Sequence, residues 1–244
     1  MGRNAVMAST ASVSYRCADD LSEVTRGWTA AGIDELAAAA PWRTFRWYRG
    51  QRHYSGTYWS STVNGHVIYE SRLELARLLF ADFDARVRNV NAQPFLLRTT
   101  VDRKPRKHIP DYLLITDTGP VLVDVKPARR LADPKVASTF EWTREIVEAR
   151  GWRYEVATEP SAVELENVRF LAGYRRNWLF PPKLLGQVRE RNLDGLPLGD
   201  AFNCLPGEPM DHVKAAVLHL IWRQELLIDL GKPLSRGTRL RSSP

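Results

Sequence analysis

The chain has 244 residues, 44% of them hydrophobic and 26% charged, which is enough for one large domain or two modest ones with a proper core. A formal net charge of +7 and a sequence pI near 9.6 favour acidic partners, nucleic acid first among them. Two cysteines, Cys17 and Cys204, lie far apart without Cys-x-x-Cys spacing, so neither a disulfide framework nor a zinc site is implied.

The longest apolar run, AAVLHLIW, is too short to span a bilayer, and no continuous apolar stretch opens the chain. The expectation is a cytoplasmic protein with no membrane contact. Residues 1–40 are poor in aromatics and read as an N-terminal extension ending in a helix, IDELAAAAP. PWRTFRWYRGQRH (41–53) then interleaves Arg43, Arg46, Arg49 and Arg52 with Trp42, Phe45, Trp47 and Tyr48 and holds no acid. Such a segment can stack bases, touch phosphates or pack its rings on a sheet. A hairpin follows with Val63-Asn64-Gly65 at its turn.

Leu75, Leu78, Leu79 and Phe83 fall on one face of a helix over roughly 71–83. Strands are expected over 94–100, 111–116 and 121–126, with the basic loop VDRKPRKH before the second. Asp133-Pro134 is an N-cap with proline at the first turn, and the helix it opens should stop at Gly151. WRYEVAT alternates as a strand. The core order is thus helix, three strands, helix, strand. Beyond residue 160 the chain turns helical and ends in a basic hairpin, ELLIDLGKPLSRGTRLR, a pattern that suits a winged helix. The expected boundaries are 1–40, a catalytic domain over 41–160 and a winged-helix-like domain over 161–244.

The hairpin HIPDYLLITDTGPVLVDVKP raises a chemical question, because it looks like sheet interior yet carries Asp111, Asp124 and Lys126. In VLVDVK, alternation puts Val121, Val123 and Val125 on one face, toward the core, and Leu122, Asp124 and Lys126 on the other. Pairing across Asp117-Thr118-Gly119-Pro120 brings Asp111 beside Asp124 at the end away from the turn. Two converging carboxylates need a positive charge between them, and hard oxygen ligands suit Mg²⁺ or Mn²⁺. With an ammonium beside it, such an ion suits phosphodiester hydrolysis. The competing reading is an Asp–Lys ion pair on a solvated strand face.

A third acid should come from the preceding helix. Glu74 borders the apolar stripe, whereas Glu70 sits at the helix boundary. Ser71-Arg72-Leu73-Glu74 is also a capping-box pattern, so capping and metal binding compete for one carboxylate.

The ordered set PWRTFRWYRGQRHYSG, NGHVIYESRLELARLL, NAQPFLL, IPDYLL and VLVDVKPARRL resembles the PD-(D/E)xK nuclease superfamily, and within it the TnsA-type endonuclease subunit of heteromeric transposases. The resemblance covers about residues 41–150, and the C-terminal part is similar to that family's winged-helix-like domain more loosely. It implies a restriction-endonuclease-like α/β core with Glu74, Asp111 and Asp124 as metal ligands. It implies too that the Val125 carbonyl is an extra ligand and Lys126 the catalytic lysine. Some members have glutamine where this chain has Asp124.

It further implies two Mg²⁺ ions, for which Mn²⁺ substitutes, and nicking at the 5′ ends of a transposable element. The implied partners are double-stranded transposon ends, a DDE-type transposase and an AAA+ ATPase regulator. Two other readings stay open: a stand-alone nuclease of a restriction or phage-defence system, and a non-catalytic DNA- or partner-binding module.

Basic residues flank the expected site. Arg103, Lys104, Arg106 and Lys107 lie in the loop before Asp111, and Arg129 and Arg130 follow the Val-Lys-Pro end. Together with Arg43 and Arg46, and with Arg236 and Arg239 of the expected wing, these are the expected phosphate contacts. None of the five histidines has ligand spacing, and His108 is expected to be structural.

Overall fold

A computed structural model describes residues 10–43 and 54–243. Arg46, with Phe45, Trp47, Tyr48, Arg49 and Arg52 of the Arg/Trp-rich segment, lies outside the described residues. The fold is mixed α/β with several sheets. The chain divides into two compact units: Met1–Arg77 with Arg86–Glu159, and Leu78–Ala85 with Pro160–Pro244. Among the described residues no helix is long and apolar enough to cross a membrane.

The first unit opens with β1 (Ser12–Arg16), β2 (Glu23–Gly27) and the short α1 (Ile33–Ala37). The hairpin β3 (Gly56–Ser60) and β4 (Gly65–Tyr69) turns at Asn64, whose φ of 49° is the left-handed conformation that Asn-Gly turns favour. Next come α2 (Arg72–Phe83), which from Leu78 on belongs to the second unit, β5 (Val87–Ala92), β6 (Leu96–Val101), β7 (Lys104–His108), β8 (Tyr112–Thr116) and β9 (Gly119–Val125). The unit closes with α3 (Pro134–Ala149) and β10 (Arg153–Ala157). One sheet runs β2-β1-β6-β7, antiparallel throughout. The other runs β10-β9-β8-β5, with β10 parallel to β9 after the α3 crossover and the remaining pairs antiparallel.

The expected first core strand is corrected. Leu96–Val101 belongs to the antiparallel sheet, and Val87–Ala92 takes the place beside β8. VRNVNA is masked in the sequence by Asn89 and Asn91, which read as polar breaks. Both fold onto the end of α1: Asn91 Nδ2 donates to the carbonyls of Leu36 (2.9 Å) and Ala39 (3.0 Å), and Asn89 Nδ2 to Ala37 (3.1 Å). They supply donors to helix-end carbonyls that have no intrahelical partner.

The basic stretch before Asp111 is likewise a strand and not a loop. A two-residue turn at Asp102 and Arg103, with φ of 49° and 62°, pairs β7 with β6. Pro105 is tolerated there because β7 is the sheet edge. The segment before residue 40 is built into this unit: Trp28 is fully buried, donates its indole N–H to the Ile146 carbonyl at 3.1 Å and meets the Trp152 ring edge-on at 5.0 Å.

The two faces of β9 also differ from expectation. Every residue from Val121 to Val125 is buried, and it is Leu122, not the valines, that joins Leu113, Phe140, Ile146 and Tyr154 in the main core cluster. A central strand is covered on both faces, so alternation cannot tell inside from outside there.

The second unit contains α4 (Ala162–Leu171), α5 (Pro182–Arg189), α6 (Leu198–Ala201) and α7 (Met210–Trp222), with β11 (Leu226–Leu227) and β12 (Arg241–Ser242). Those two strands pair antiparallel over two residues each. The stretch between them turns back onto 195–199: Gly199 N–H donates to Arg236 O (2.8 Å), Leu198 N–H to Thr238 O (2.7 Å), and the Arg239 guanidinium to Gly195 O (2.7 Å). The expected wing is therefore not a free two-stranded hairpin. Its backbone is taken up by the α6 entry. His219 is buried, stacks on Phe180 and lies 2.7 Å from the Tyr174 carbonyl through Nδ1.

Candidate active site

The β8–β9 register places Tyr112 opposite Val123, so Asp111 falls opposite Asp124 at the open end of the hairpin. The ladder continues past the strand end. Asp111 N–H donates to Val123 O at 3.1 Å, and Asp111 Oδ2 accepts the Val125 N–H at 2.6 Å. The carboxylate of Asp111 is thereby pinned against the two residues that flank Asp124.

Its pKa is pushed well above the ordinary aspartate value, by burial first and then by the negative charges of Asp124 and Glu74. The Val125 N–H and the Lys126 ammonium pull the other way. These are the signs expected of acids crowded against one another with a single cation nearby. Lys126 follows Asp124 by two residues and therefore shares its face, while its backbone N–H donates to Ala157 O at 2.9 Å.

Asp124 is not on a solvated face. It is 2% exposed, His108 Nε2 lies 2.8 Å from each carboxylate oxygen, and the Tyr154 hydroxyl donates to Oδ2. The reading of an open Asp–Lys pair is excluded by that burial. The Tyr154 hydroxyl is made much harder to ionise, by burial first and by the charge of Asp124 second. His108 leans edge-on against Phe140 and Trp142, which fixes its ring.

Glu74 caps its own helix. Its backbone N–H donates to Ser71 Oγ (3.1 Å), the Ser71 hydroxyl donates back to Oε1 (2.8 Å), and the Glu70 N–H donates to Oε2 (2.7 Å). Burial raises its pKa, the Glu70 N–H and Ser71 lower it, and Lys126 lowers it further. The helix is set over the sheet by Tyr112, whose hydroxyl donates to the Glu74 carbonyl at 3.3 Å, and by Arg77, which grips Glu155 of β10 bidentately at 2.7 and 2.8 Å. Glu70 accepts the Gln93 side-chain amide at 2.6 Å.

Asp111 thus lies within electrostatic reach of Asp124, Glu74 and Lys126, and Glu74 within reach of Lys126. Among the described residues, however, no group of three or more His, Cys, Asp and Glu side chains is arranged to hold a metal ion. The hydrogen bonds give the reason: Glu74 is turned to its helix start and Asp124 to His108 and Tyr154. Asp111 keeps one carboxylate oxygen outside these bonds. The donor chemistry, all hard oxygen, still fits Mg²⁺ or Mn²⁺.

Of the expected phosphate contacts, Arg43, Arg103, Lys104, Arg106, Lys107, Arg129, Arg236 and Arg239 are exposed. Arg130 is exposed as well and pairs with Asp133 at 3.2 Å. His108, before the Pro-Asp pair, and Tyr154, in an alternating strand, carried no strong sequence signal. Gln93 stood in the NAQPFLL element of the resemblance without an assigned role.

Residues 84–159 match the family model described as the TnsA-like endonuclease N-terminal domain. That span is less than half of the chain and holds Asp111, Asp124 and Lys126 but not Glu74. A comparison with curated proteins found no match. With the paired aspartates and lysine at the end of this hairpin, residues 84–159 are similar to a TnsA-like endonuclease N-terminal domain.

Proposed function

We propose that the protein is a metal-dependent DNA endonuclease that hydrolyses one phosphodiester bond at each 5′ end of a transposable element, as part of a heteromeric transposase. The observation that carries this reading is the meeting of Asp111 and Asp124 at the open end of a buried hairpin, with Lys126 two residues on, inside the matched segment. Asp111, Asp124 and the Val125 carbonyl would hold Mg²⁺, and Glu74 would join on leaving its cap. A bound ion polarises the phosphoryl group, activates water and stabilises the leaving oxygen. Lys126 orients the attacking water or offsets charge on the phosphorus centre. Tyr154 and His108 hold Asp124 in place, and the pKa of Asp111, already raised, marks where an extra cation stabilises most.

DNA would run along the exposed Lys104, Arg106 and Lys107 of β7, with Arg103, Arg129 and Arg130 close in sequence to either end of the site. Recognition of the element's ends would fall to a DDE-type transposase and coupling to the target to an AAA+ ATPase. The second unit would supply the docking surface.

The test is end-specific nicking of supercoiled plasmid with Mg²⁺ or Mn²⁺, with and without the transposase partner. Partner-dependent 5′ nicking that Asp111→Ala and Lys126→Ala each abolish is the expected result. Efficient cutting of one defined sequence by the isolated chain would replace this reading with a stand-alone nuclease. Cleavage by either variant at the wild-type rate would sink the mechanism.

A further inference from the structure

Gln93 links β5 to β6 and is buried, and its φ of 46° is left-handed, uncommon for a residue with a side chain. Its backbone and side-chain amide groups reach four different places. Its N–H donates to the Asp111 carbonyl at 2.8 Å, and its own carbonyl accepts the Trp42 N–H at 2.9 Å. Its side-chain Oε1 accepts the Arg43 N–H at 3.2 Å, while Nε2 donates to Glu70 Oε1 at 2.6 Å. The Arg43 contact fixes the amide's orientation, because an oxygen must face that N–H and the nitrogen is then left to face Glu70. Glu70 in turn gives its N–H to Glu74 Oε2 at 2.7 Å. A continuous path therefore runs from Asp111 through Gln93 and Glu70 to Glu74, joining acids on separate elements.

We infer that Gln93 is a positioning residue that sets the distance between Asp111 and the Glu70–Glu74 helix start, and with it the affinity of the carboxylate site for a divalent cation. The inference rests on the nuclease reading above. Burial alone does not require an amide here, since an apolar side chain of equal length would fill the same space. What an apolar side chain cannot do is hold Glu70 and the Arg43 N–H at once. Loss of a residue that orients metal-binding groups costs about 10–100-fold in metal affinity or activity.

The decisive variant is Gln93→Glu, which turns the donor facing Glu70 into a second carboxylate. Its rescue is the double variant Gln93→Glu with Glu70→Gln, which restores the hydrogen bond with its direction reversed and the net charge unchanged. Binding of Mn²⁺ to the full chain is measured by calorimetry or electron paramagnetic resonance, beside thermal melting and nicking kinetics. Gln93→Glu should weaken Mn²⁺ binding at least tenfold and shift the Mn²⁺ concentration needed for nicking by a similar factor. The double variant should return within about threefold of the wild type, the room left by context in such effects.

Wild-type Mn²⁺ affinity in Gln93→Glu, or no recovery in the double variant, overturns the inference while leaving the nuclease reading intact. A wild-type chain that binds no Mn²⁺ overturns both. Should Gln93→Glu not fold, Gln93→Met keeps the length, removes both side-chain bonds and is judged by the same Mn²⁺ criterion.

Discussion

Tyr154 and His108 bond the same carboxylate from two strands, so each should matter to cleavage more than to folding. Tyr154→Phe keeps the ring that packs beside Phe140 and removes one hydrogen bond to a buried charge. The expected cost is about 1.5–3 kcal/mol of stability, read by denaturant melts, with a larger proportional fall in nicking rate because Asp124 gains a freedom it does not have in the intact site. A variant that melts lower but nicks at the wild-type rate would show that Tyr154 serves the fold alone.

Asp111 supports a pH prediction whose sign follows from its raised pKa. Below the unfolded aspartate pKa of about 4, the group is protonated in both states and contributes nothing. Between that value and the higher folded pKa the native state binds more protons than the unfolded one, so stability falls as pH rises. Above the folded pKa the full cost is present. Asp111→Asn, in EDTA, should therefore melt a few degrees higher than wild type at pH 7.5, with the gain shrinking toward pH 4. Equal melting at both pH values would mean that the carboxylate is not strained by its neighbours.

At the scale of elements, α2 and β7 carry separate tests. Ser71 caps α2 and shares Glu74 with it. Ser71→Ala should cost about 1 kcal/mol but release the carboxylate, so nicking should survive or need less Mn²⁺. Loss of nicking at unchanged melting would instead assign the capped form of Glu74 to catalysis. Lys104, Arg106 and Lys107 are exposed on an edge strand, so replacing all three by alanine should leave melting unchanged. If they bind phosphates, the log–log salt slope of DNA binding should drop by roughly 2–3, near 0.9 per lost contact, as read by fluorescence anisotropy. An unaltered slope would move the DNA path elsewhere.

Much of this was legible locally. The helix from Asp133-Pro134 to the glycine stop, the β8–β9 hairpin and the Asn64-Gly65 turn follow from caps and turns that act within a few residues. β5 was hidden because Asn89 and Asn91 take their partners from α1, some 50 residues back in the chain. β7 was hidden because its five residues, KPRKH, have no apolar face to betray a strand.

At the scale of the molecule, the compact unit that takes in Pro160–Pro244 also holds Leu78–Ala85, the end of α2. There the Phe83 ring meets Trp222 at 5.2 Å, and the Phe83 carbonyl accepts the Gln224 amide at 2.7 Å. A chain cut after residue 159 would lose both partners of Phe83. It should melt lower than the full chain and bind a hydrophobic dye, so a loss of nicking on truncation would not by itself locate a docking surface. Trp222→Ala should cost about 3–5 kcal/mol, the usual range for emptying a large buried ring, and denaturant melts would check it. A truncated chain that melts as the intact one does would show that α2 needs nothing from the second unit.

The sequence by itself determined the chemistry available: Asp111, Asp124 and Lys126 at the end of one hairpin, on a basic chain. Strand alternation and a tight turn are enough to bring those groups together, because both act over a few residues. Only the tertiary structure decided what each group is free to do. It gave the oxygens of Asp124 to His108 and Tyr154, and placed Gln93 between Asp111 and Glu70. Those partners lie between 16 and 30 residues apart in the chain, and a buried polar group takes whichever donor the packing brings within reach.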